Sequence, residues 1–378
     1  MANESETWLK PAKRIVTERW GESVTFGDAD LLGGSDRSNV HRVKLEAVNP
    51  SVPNTVVVKQ AGQHGDQVYD PDSKEGPAYG LLNDWAGLAF LAELDSGTWP
   101  DFYGGDRETG IILLEDLGAA RQIDHILLGD DPVEARETMC GYVRALADLN
   151  RTTAGHANRY DEIRRELGPR TIRNYVGRIR QFGEMMKERG FDSEALSSEL
   201  ERCADVLADP GPFRVYTHGD SCPDNCLLTD GQVYLIDFEW GEIRHALIDG
   251  VYPWIHFPSC WCVNKLPDDL TDLLLEEYRS RLALGIPEAE DDRLFGGGLV
   301  AASVAGFNVN FFADDVFVKD HRWGIATLRQ RLRIRIIAKT AEQYGYPALA
   351  TACARLGDRF DEIWSDVELM PIYPDFRS

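Results

Sequence analysis

Residues 215–240 read VYTHGDSCPDNCLLTDGQVYLIDFEW, and this stretch decides the fold. Its second half spells a β-hairpin. Apolar-rich runs at 226–229 and 232–236 flank Asp230-Gly231, the pair that a two-residue type I′ turn favours. With those two residues as the loop, Thr229 faces Gln232, and counting back sets Asn225 opposite Ile236. Asn225 and Asp237 then share the open end of the hairpin. Asp220 lies five residues before Asn225, in a loop that Pro223 keeps out of helix. One amide and two carboxylates converge.

That trio suits magnesium-dependent phosphoryl transfer. Mg²⁺ prefers oxygen ligands and is commonly held by one or two protein groups plus nucleotide phosphates. Asn225 and Asp237 can supply such oxygens. Asp220 is then free to accept or orient the proton of an attacking hydroxyl. A solvated turn with an incidental acid pair is the plain alternative in a chain of 63 acids. The ordered set H-G-D-x-x-x-x-N, hairpin, I-D is far more specific than that.

Outward from this segment the character of the chain changes near residue 118. Before it come short β-branched runs at 40–48, 55–59 and 110–114, interrupted by a helical stretch at 82–94. After it the sequence is mostly helical, as at 132–150, 193–207, 270–282 and 324–344. A small sheet-rich part followed by a larger helical part is the expected architecture. Lys59 closes the apolar run VVVK, an awkward place for an ammonium unless it meets anions.

Composition narrows the function. The 378 residues carry 40 basic and 63 acidic side chains, a net charge of −23. That balance argues against a nucleic-acid or anionic-membrane binder, since both need a positive surface. The acidic start lacks the features of a signal peptide, and the small-and-apolar stretch 296–307 falls short of the ~20 residues that cross a bilayer. Seven cysteines, an odd number, do not make a disulfide scaffold. A soluble cytoplasmic protein with reduced thiols is expected, its oligomeric state left open.

The segment 215–240 resembles the aminoglycoside phosphotransferase and choline kinase family of small-molecule kinases, which carry H-G-D and a downstream I-D. The resemblance implies an α+β, two-lobed, protein-kinase-like fold. Residues 1–117 would form a nucleotide-binding lobe and 118–378 a catalytic and substrate-binding lobe. It implies ATP or GTP with Mg²⁺, Asp220 as catalytic base, Asn225 and Asp237 as metal ligands, and His218 bracing the loop. Asp249, in HALIDGVY, looks like the aspartate that ties down the catalytic-loop backbone.

The same resemblance assigns the nucleotide site. Residues 32–44, LGGSDRSNVHRVK, read as a turn whose Gly34, Ser35, Ser38 and Asn39 present donors to phosphates. Lys59 would hold the α/β-phosphates and pair with an acid on the following helix. Asp84 matches that position, with Glu75 and Glu93 as alternatives. Residues 111–118, IILLEDLG, resemble the connector that reads adenine, through Glu115 and Leu117. The implied reaction moves the γ-phosphate to a hydroxyl of a small, neutral or cationic acceptor. An aminoglycoside or other antibiotic, an amino sugar or an amino alcohol would fit, and a resistance-type role follows. A nucleotide-binding pseudokinase is the alternative, and intact Lys59, Asp220, Asn225 and Asp237 speak against it.

Three further features carry less. His218, Cys222 and Cys226 recur at intervals of four near Cys260-Trp261-Cys262, but the spacing suits buried thiols better than zinc. The basic run from Arg329 to Arg335 fits internal ion pairing on a helix. Trp254 and Trp261 could stack on a substrate beside Asp268, Asp269 and Asp272, although those acids also suit a helix start after Pro267.

Overall fold

The computed structural model describes residues 5–35, 38–62, 68–94, 97–307, 326–365 and 368–377. They divide into two compact units. The first comprises Met1–Ala120, His156–Ile172 and Thr229–Glu242, and the second Arg121–Gly155, Arg173–Leu228 and Ile243–Ser378. The leading segment therefore ends three residues beyond the expected boundary at 117. The first unit also gathers two later segments, one of which carries Asp237.

In the first unit, β1 (Thr25–Ser35), β2 (Ser38–Glu46), β3 (Thr55–Ala61), β4 (Phe102–Asp106) and β5 (Ile111–Glu115) form an antiparallel sheet in the order β1-β2-β3-β5-β4. Val43, Leu45, Val56, Val58, Ile111 and Leu113 bury one face under the helix Ser5–Trp20. Trp8, Ala12, Ile15 and Val16 of that helix recur at helical spacing and complete the cluster. Pro11 lies inside it, and no sequence signal pointed to a helix there. Strand alternation sends Lys59 to the opposite face from Val56 and Val58. The helix Gly76–Leu91 covers that side, buried along most of its length and started by Pro77.

The turn expected between two strand-like runs at 32–44 is the tip of a β-hairpin. β1 continues through Ser35 and β2 begins at Ser38, so Gly34 pairs with Asn39 and Ser35 with Ser38. The ladder leaves these four residues in strands at the tip of a tight hairpin. Asp36 and Arg37 fall outside the described residues.

The second unit is mainly helical: Ile123–Leu127, Pro132–Thr152, Tyr175–Glu188, Glu194–Ala208, Leu247–Trp254, Asp268–Ala283, Asp292–Gly306, Ala326–Gln343 and Pro347–Ile363. Several starts are set by side chains at the cap. Asp131 accepts from the Val133 and Glu134 N–H groups, and Ser193 accepts from Leu196. The expected basic run lies on Ala326–Gln343, where Arg331 pairs with Asp361, and Arg335 with Asp358 and Asp361. Among the described residues no helix is long and apolar enough to cross a membrane.

The apolar stretch at 296–307 belongs to the helix Asp292–Gly306, and its glycines make room for neighbours. A Cβ at Gly296 would stand 2.0 Å from Tyr344 Cδ1, and one at Gly298 would stand 2.4 Å from His245 Cε1. His245 is buried, stacked on Phe213 at 4.9 Å, and its Nδ1 accepts from the Leu247 N–H. His256 is buried likewise, with Nδ1 accepting from Leu266. Burial lowers both from 6.5 to about 3, so both are neutral when folded.

The unfolded chain takes up these two protons near pH 6.5 and the folded chain does not. Stability is therefore present above 6.5 and falls as pH drops below it, towards 3. Each histidine contributes about 1.4 kcal/mol per pH unit in that window. Urea midpoints should be clearly lower at pH 5 than at pH 7. A flat profile would contradict the buried neutral imidazoles.

Candidate active site

In the first unit, the Lys59 ammonium sits 2.6 Å from Asp84 Oδ2 and 2.6 Å from Asp237 Oδ1. Asp84, not Glu75 or Glu93, is the paired acid. Glu75 stands at the N-terminal boundary of Gly76–Leu91 without a side-chain capping bond, and Glu93 pairs with Arg159. The shorter aspartate suffices because its Oδ1 also accepts from the Phe238 N–H at 3.0 Å, which draws residues 237–238 to the helix. Asn83 donates to the Glu239 carbonyl and accepts from the buried Arg164, fixing the same segment from the next helical position. Asp237 holds its place at φ 63°, a left-handed conformation uncommon outside glycine.

The electrostatics are those of a group with too many anions. Burial would lower the Lys59 pKa, but Asp237, Asp84 and Glu239 outweigh it and raise it, so the ammonium is retained. Burial also raises Asp84, and Asp237 adds to that, against the pull of Lys59. Two carboxylates share one ammonium, and proton affinity rises on both sides. A divalent cation would relieve the same excess. Glu115 and Leu117 lie at and just past the end of β5. The Glu115 carboxylate accepts from Asp101 N–H, while Arg42 binds Asp116 at 2.7 Å and the Gly118 carbonyl, pinning this connector to β2.

In the second unit, Asp249 clamps the catalytic loop. Its carboxylate accepts from His218 N–H at 2.9 Å, Gly219 N–H at 3.0 Å and Asn150 Nδ2 at 3.0 Å. This is the backbone tie the sequence pointed to. His218 is fully buried, and its Nδ1 lies 3.4 Å from the Asp220 N–H, a bracing position. Asn225 Nδ2 donates to the Asp220 carbonyl. The turn after it has φ 50° at Asp230 and 76° at Gly231, as a type I′ turn requires.

Two residues on Asp220 were not legible. Tyr252 and Ser259 hydroxyls both donate to Asp220 Oδ1 at 2.7 Å, and they contact each other. Ser259 is presented by a turn in which His256 and Phe257 take φ 55° and 50°. Left-handed values on such side chains cost about 1 kcal/mol or more each. The pair fixes the carboxylate through Oδ1.

The expectation of reduced thiols is corrected at this place. Cys222, two residues after Asp220, forms a disulfide with Cys260, next to Ser259, their Cα atoms 5.5 Å apart. Catalytic loop and turn are thereby joined. Cys262 Sγ lies 3.1 Å from Cys260 Sγ, and burial pushes the Cys262 thiol up to about 12. Cys226 contacts the Cys222 carbonyl and His218 stays with the loop, so they do not form the zinc set considered above. Trp254 is buried and donates to Thr340, whereas Trp261 is 49% exposed and donates to Asp224 at 2.8 Å. Asp268, Asp269 and Asp272 pair with Lys265, Arg136 and Lys339.

A family model described as "Phosphotransferase enzyme family" matches residues 89–285. Among solved structures, a choline/ethanolamine kinase family protein from Mesorhizobium loti is similar at 14% identity, over 87% of this chain and 93% of that one, with a TM-score of 0.48. Choline kinase from Streptococcus pneumoniae shows 15% identity, 87% and 98% coverage and a TM-score of 0.41. Macrolide 2′-phosphotransferase from Brachybacterium faecium shows 16%, 80% and 92%, and 0.41. No curated protein matches the sequence.

Cys222 and Cys260 are separated by 38 positions, and opening a loop of that length should cost about 4 kcal/mol on the chain-entropy account. Urea unfolding should show a lower midpoint after reduction and for Cys222→Ser, with the two treatments non-additive. Unchanged midpoints would show that the bridge does not hold the loop.

Proposed function

Because the chain belongs to the phosphotransferase enzyme family, we propose that it transfers the γ-phosphate of ATP to a hydroxyl of a small molecule. The observation that carries this reading is Lys59, a buried ammonium held at 2.6 Å by both Asp84 and Asp237. A lysine so placed is aimed and kept charged, as phosphate binding needs. In this reading it receives the α/β-phosphates, with Glu115 and Leu117 at the adenine and the 34–39 hairpin over the phosphates.

Asn225 Oδ1 and the Asp237 carboxylate are hard oxygen donors, and the negative excess around Lys59 fits Mg²⁺. Mg²⁺ bound there would neutralise charge on the transferring phosphoryl group. Asp220 accepts the acceptor's proton on Oδ2, while Tyr252 and Ser259 hold Oδ1. Asp249 keeps the loop backbone still during the step. Aminoglycosides and other antibiotics, amino sugars and amino alcohols are the acceptors that the family resemblance and the net charge of −23 favour.

ATP with Mg²⁺ should raise the Tm, since a ligand of the folded state stabilises it. Lys59→Ala should abolish most of that shift. Asp220→Asn should preserve it while lowering ADP release by ~10²-fold or more. A wild-type chain with no shift at millimolar ATP or GTP would sink the reading. A full shift with an Asp220→Asn variant as active as wild type would remove Asp220 from its role, and would point to another base.

A further inference from the structure

The turn that carries Ser259 is closed on itself. His256 Nδ1 accepts from the Leu266 N–H at 3.1 Å, so residues 256–266 form one loop that contains Ser259, Cys260 and Cys262. Within it His256 and Phe257 hold left-handed φ values, a backbone state that persists only where the surroundings impose it. Trp261 Nε1 donates to Asp224 at 2.8 Å, and Cys260 is bonded to Cys222, so this turn is tied to the catalytic loop. Cys222 stands between Asp220 and Asn225 in the chain, and its carbonyl accepts from the Asn225 N–H at 2.8 Å. The bridge therefore fastens the middle of the segment that holds both side chains.

A third sulfur lies against the bridge. Cys262 Sγ is 3.1 Å from Cys260 Sγ, and the sulfurs of Cys222, Cys260 and Cys262 all fall within 4.8 Å of one another. All three residues are buried. Thiol–disulfide exchange proceeds by attack of a thiolate on one sulfur of a disulfide. The contact that such an attack needs is already made, without any opening to an outside thiol. Burial pushes the Cys262 thiol up to about 12, and Asp224 and Asp124 add to that. The attacking thiolate is scarce, so the exchange is slow.

The two bridges that these sulfurs can form differ in what they join. Cys222–Cys260 links the catalytic loop to the turn. Cys260–Cys262 lies inside the turn and leaves the catalytic loop untied. A separation of 38 positions is costlier to close than one of two, so chain entropy favours the shorter bridge as soon as native contacts loosen.

We propose that the three cysteines form a thiol–disulfide switch on the catalytic base: Cys262 displaces Cys222 from Cys260, the bridge moves into the turn, and Asp220 loses the fixed Ser259 that orients it. The proposal rests on the kinase reading for its effect on turnover and on the sulfur cluster alone for the exchange. In the step, the Cys262 thiolate forms a bond to Cys260 Sγ and the bond from Cys260 to Cys222 breaks. Cys222 leaves with the electron pair and takes up one proton for the one that Cys262 released. One disulfide and one thiol enter the step and one of each leaves it, so no oxidant or reductant is consumed.

Bridges are mapped on the full-length chain by acid quench, alkylation of free thiols and non-reducing digestion. Wild type held at mildly alkaline pH should accumulate chains in which Cys222 is alkylated and Cys260 is bonded to Cys262, over minutes to hours. Cys222→Ser treated with oxidised glutathione should carry the Cys260–Cys262 bridge, and Cys262→Ser should carry Cys222–Cys260 alone. Hydrogen exchange in the peptide 219–226 should be about 10-fold faster or more in Cys222→Ser than in Cys262→Ser, because the loop has lost its tie. ADP release should fall about 10-fold or more in Cys222→Ser and stay within about 2-fold of wild type in Cys262→Ser, as expected for a base that has lost its orientation. Should Cys222→Ser fail to fold, wild type sampled along the incubation decides. Its loss of ADP release should track the fraction of chains with alkylated Cys222.

Wild type with Cys222–Cys260 at every time point would overturn the proposal. So would Cys222→Ser with Cys260 and Cys262 still free after oxidised glutathione, or bridged within the turn and as active as Cys262→Ser. Three thiols protected around one equivalent of zinc in the purified chain would make the cluster a metal site, and would overturn it equally. Bridge exchange and a loosened loop, with no ADP release from any chain, would support the switch and count against the kinase reading.

Discussion

One ammonium buried between two carboxylates organises the first unit. Lys59 on β3, Asp84 on the helix Gly76–Leu91 and Asp237 in a later segment of the chain meet at 2.6 Å contacts. A buried ion cluster of this kind is a poor source of net stability, because desolvation offsets most of the attraction. Its value is specificity. Removing any member leaves the others charged and out of water, so the strand, the helix and the 237–239 backbone are constrained to one arrangement. Phe238 N–H on Asp84 and Asn83 on Glu239 extend that constraint by neutral hydrogen bonds.

Asp249 applies the same logic in the second unit with backbone N–H groups as partners. It collects three donors and is fully buried. Tyr278 then fixes Asn150 from behind, at 2.7 Å. The catalytic loop is therefore held from the inside by an acid and from the outside by the Cys222–Cys260 bridge. Asp220 stands between these restraints, with its Oδ1 already satisfied. In the proposed reaction, a base with a preset orientation would have little to reorganise when a hydroxyl arrives.

What could be read from the sequence was what is local. Asp220, Asn225 and the Asp230-Gly231 turn lie within one short segment, and spacing there carried the Asn225–Asp220 contact and the turn's backbone. Strand and helix positions came out close, as at 132–150 for Pro132–Thr152 and 193–207 for Glu194–Ala208. Lys59 was legible because an ammonium ending an apolar strand needs a reason. Tyr252 and Ser259 were not, since they reach Asp220 through a left-handed turn that ordinary residues rarely adopt. The disulfide was hidden because composition speaks of the average cysteine and not of two Cα atoms at 5.5 Å. The turn expected within 32–44 was legible because glycine and serine favour tight turns, and it closes the β1–β2 hairpin with Gly34 opposite Asn39.

The glycine triplet in the helix Asp292–Gly306 sets a limit on how this protein can be improved. Replacing glycine by alanine in a helix interior ordinarily gains about 1 kcal/mol, so positions 296–298 invite an engineer seeking thermostability. Two of the three are closed. At Gly296 and Gly298 the space for a methyl is already filled by Tyr344 and His245, whereas at Gly297 the nearest atom is Tyr346 Oη at 3.4 Å. The neighbouring rings have been fitted to missing side chains, and a methyl at either of those two positions must first move an aromatic residue outside the helix.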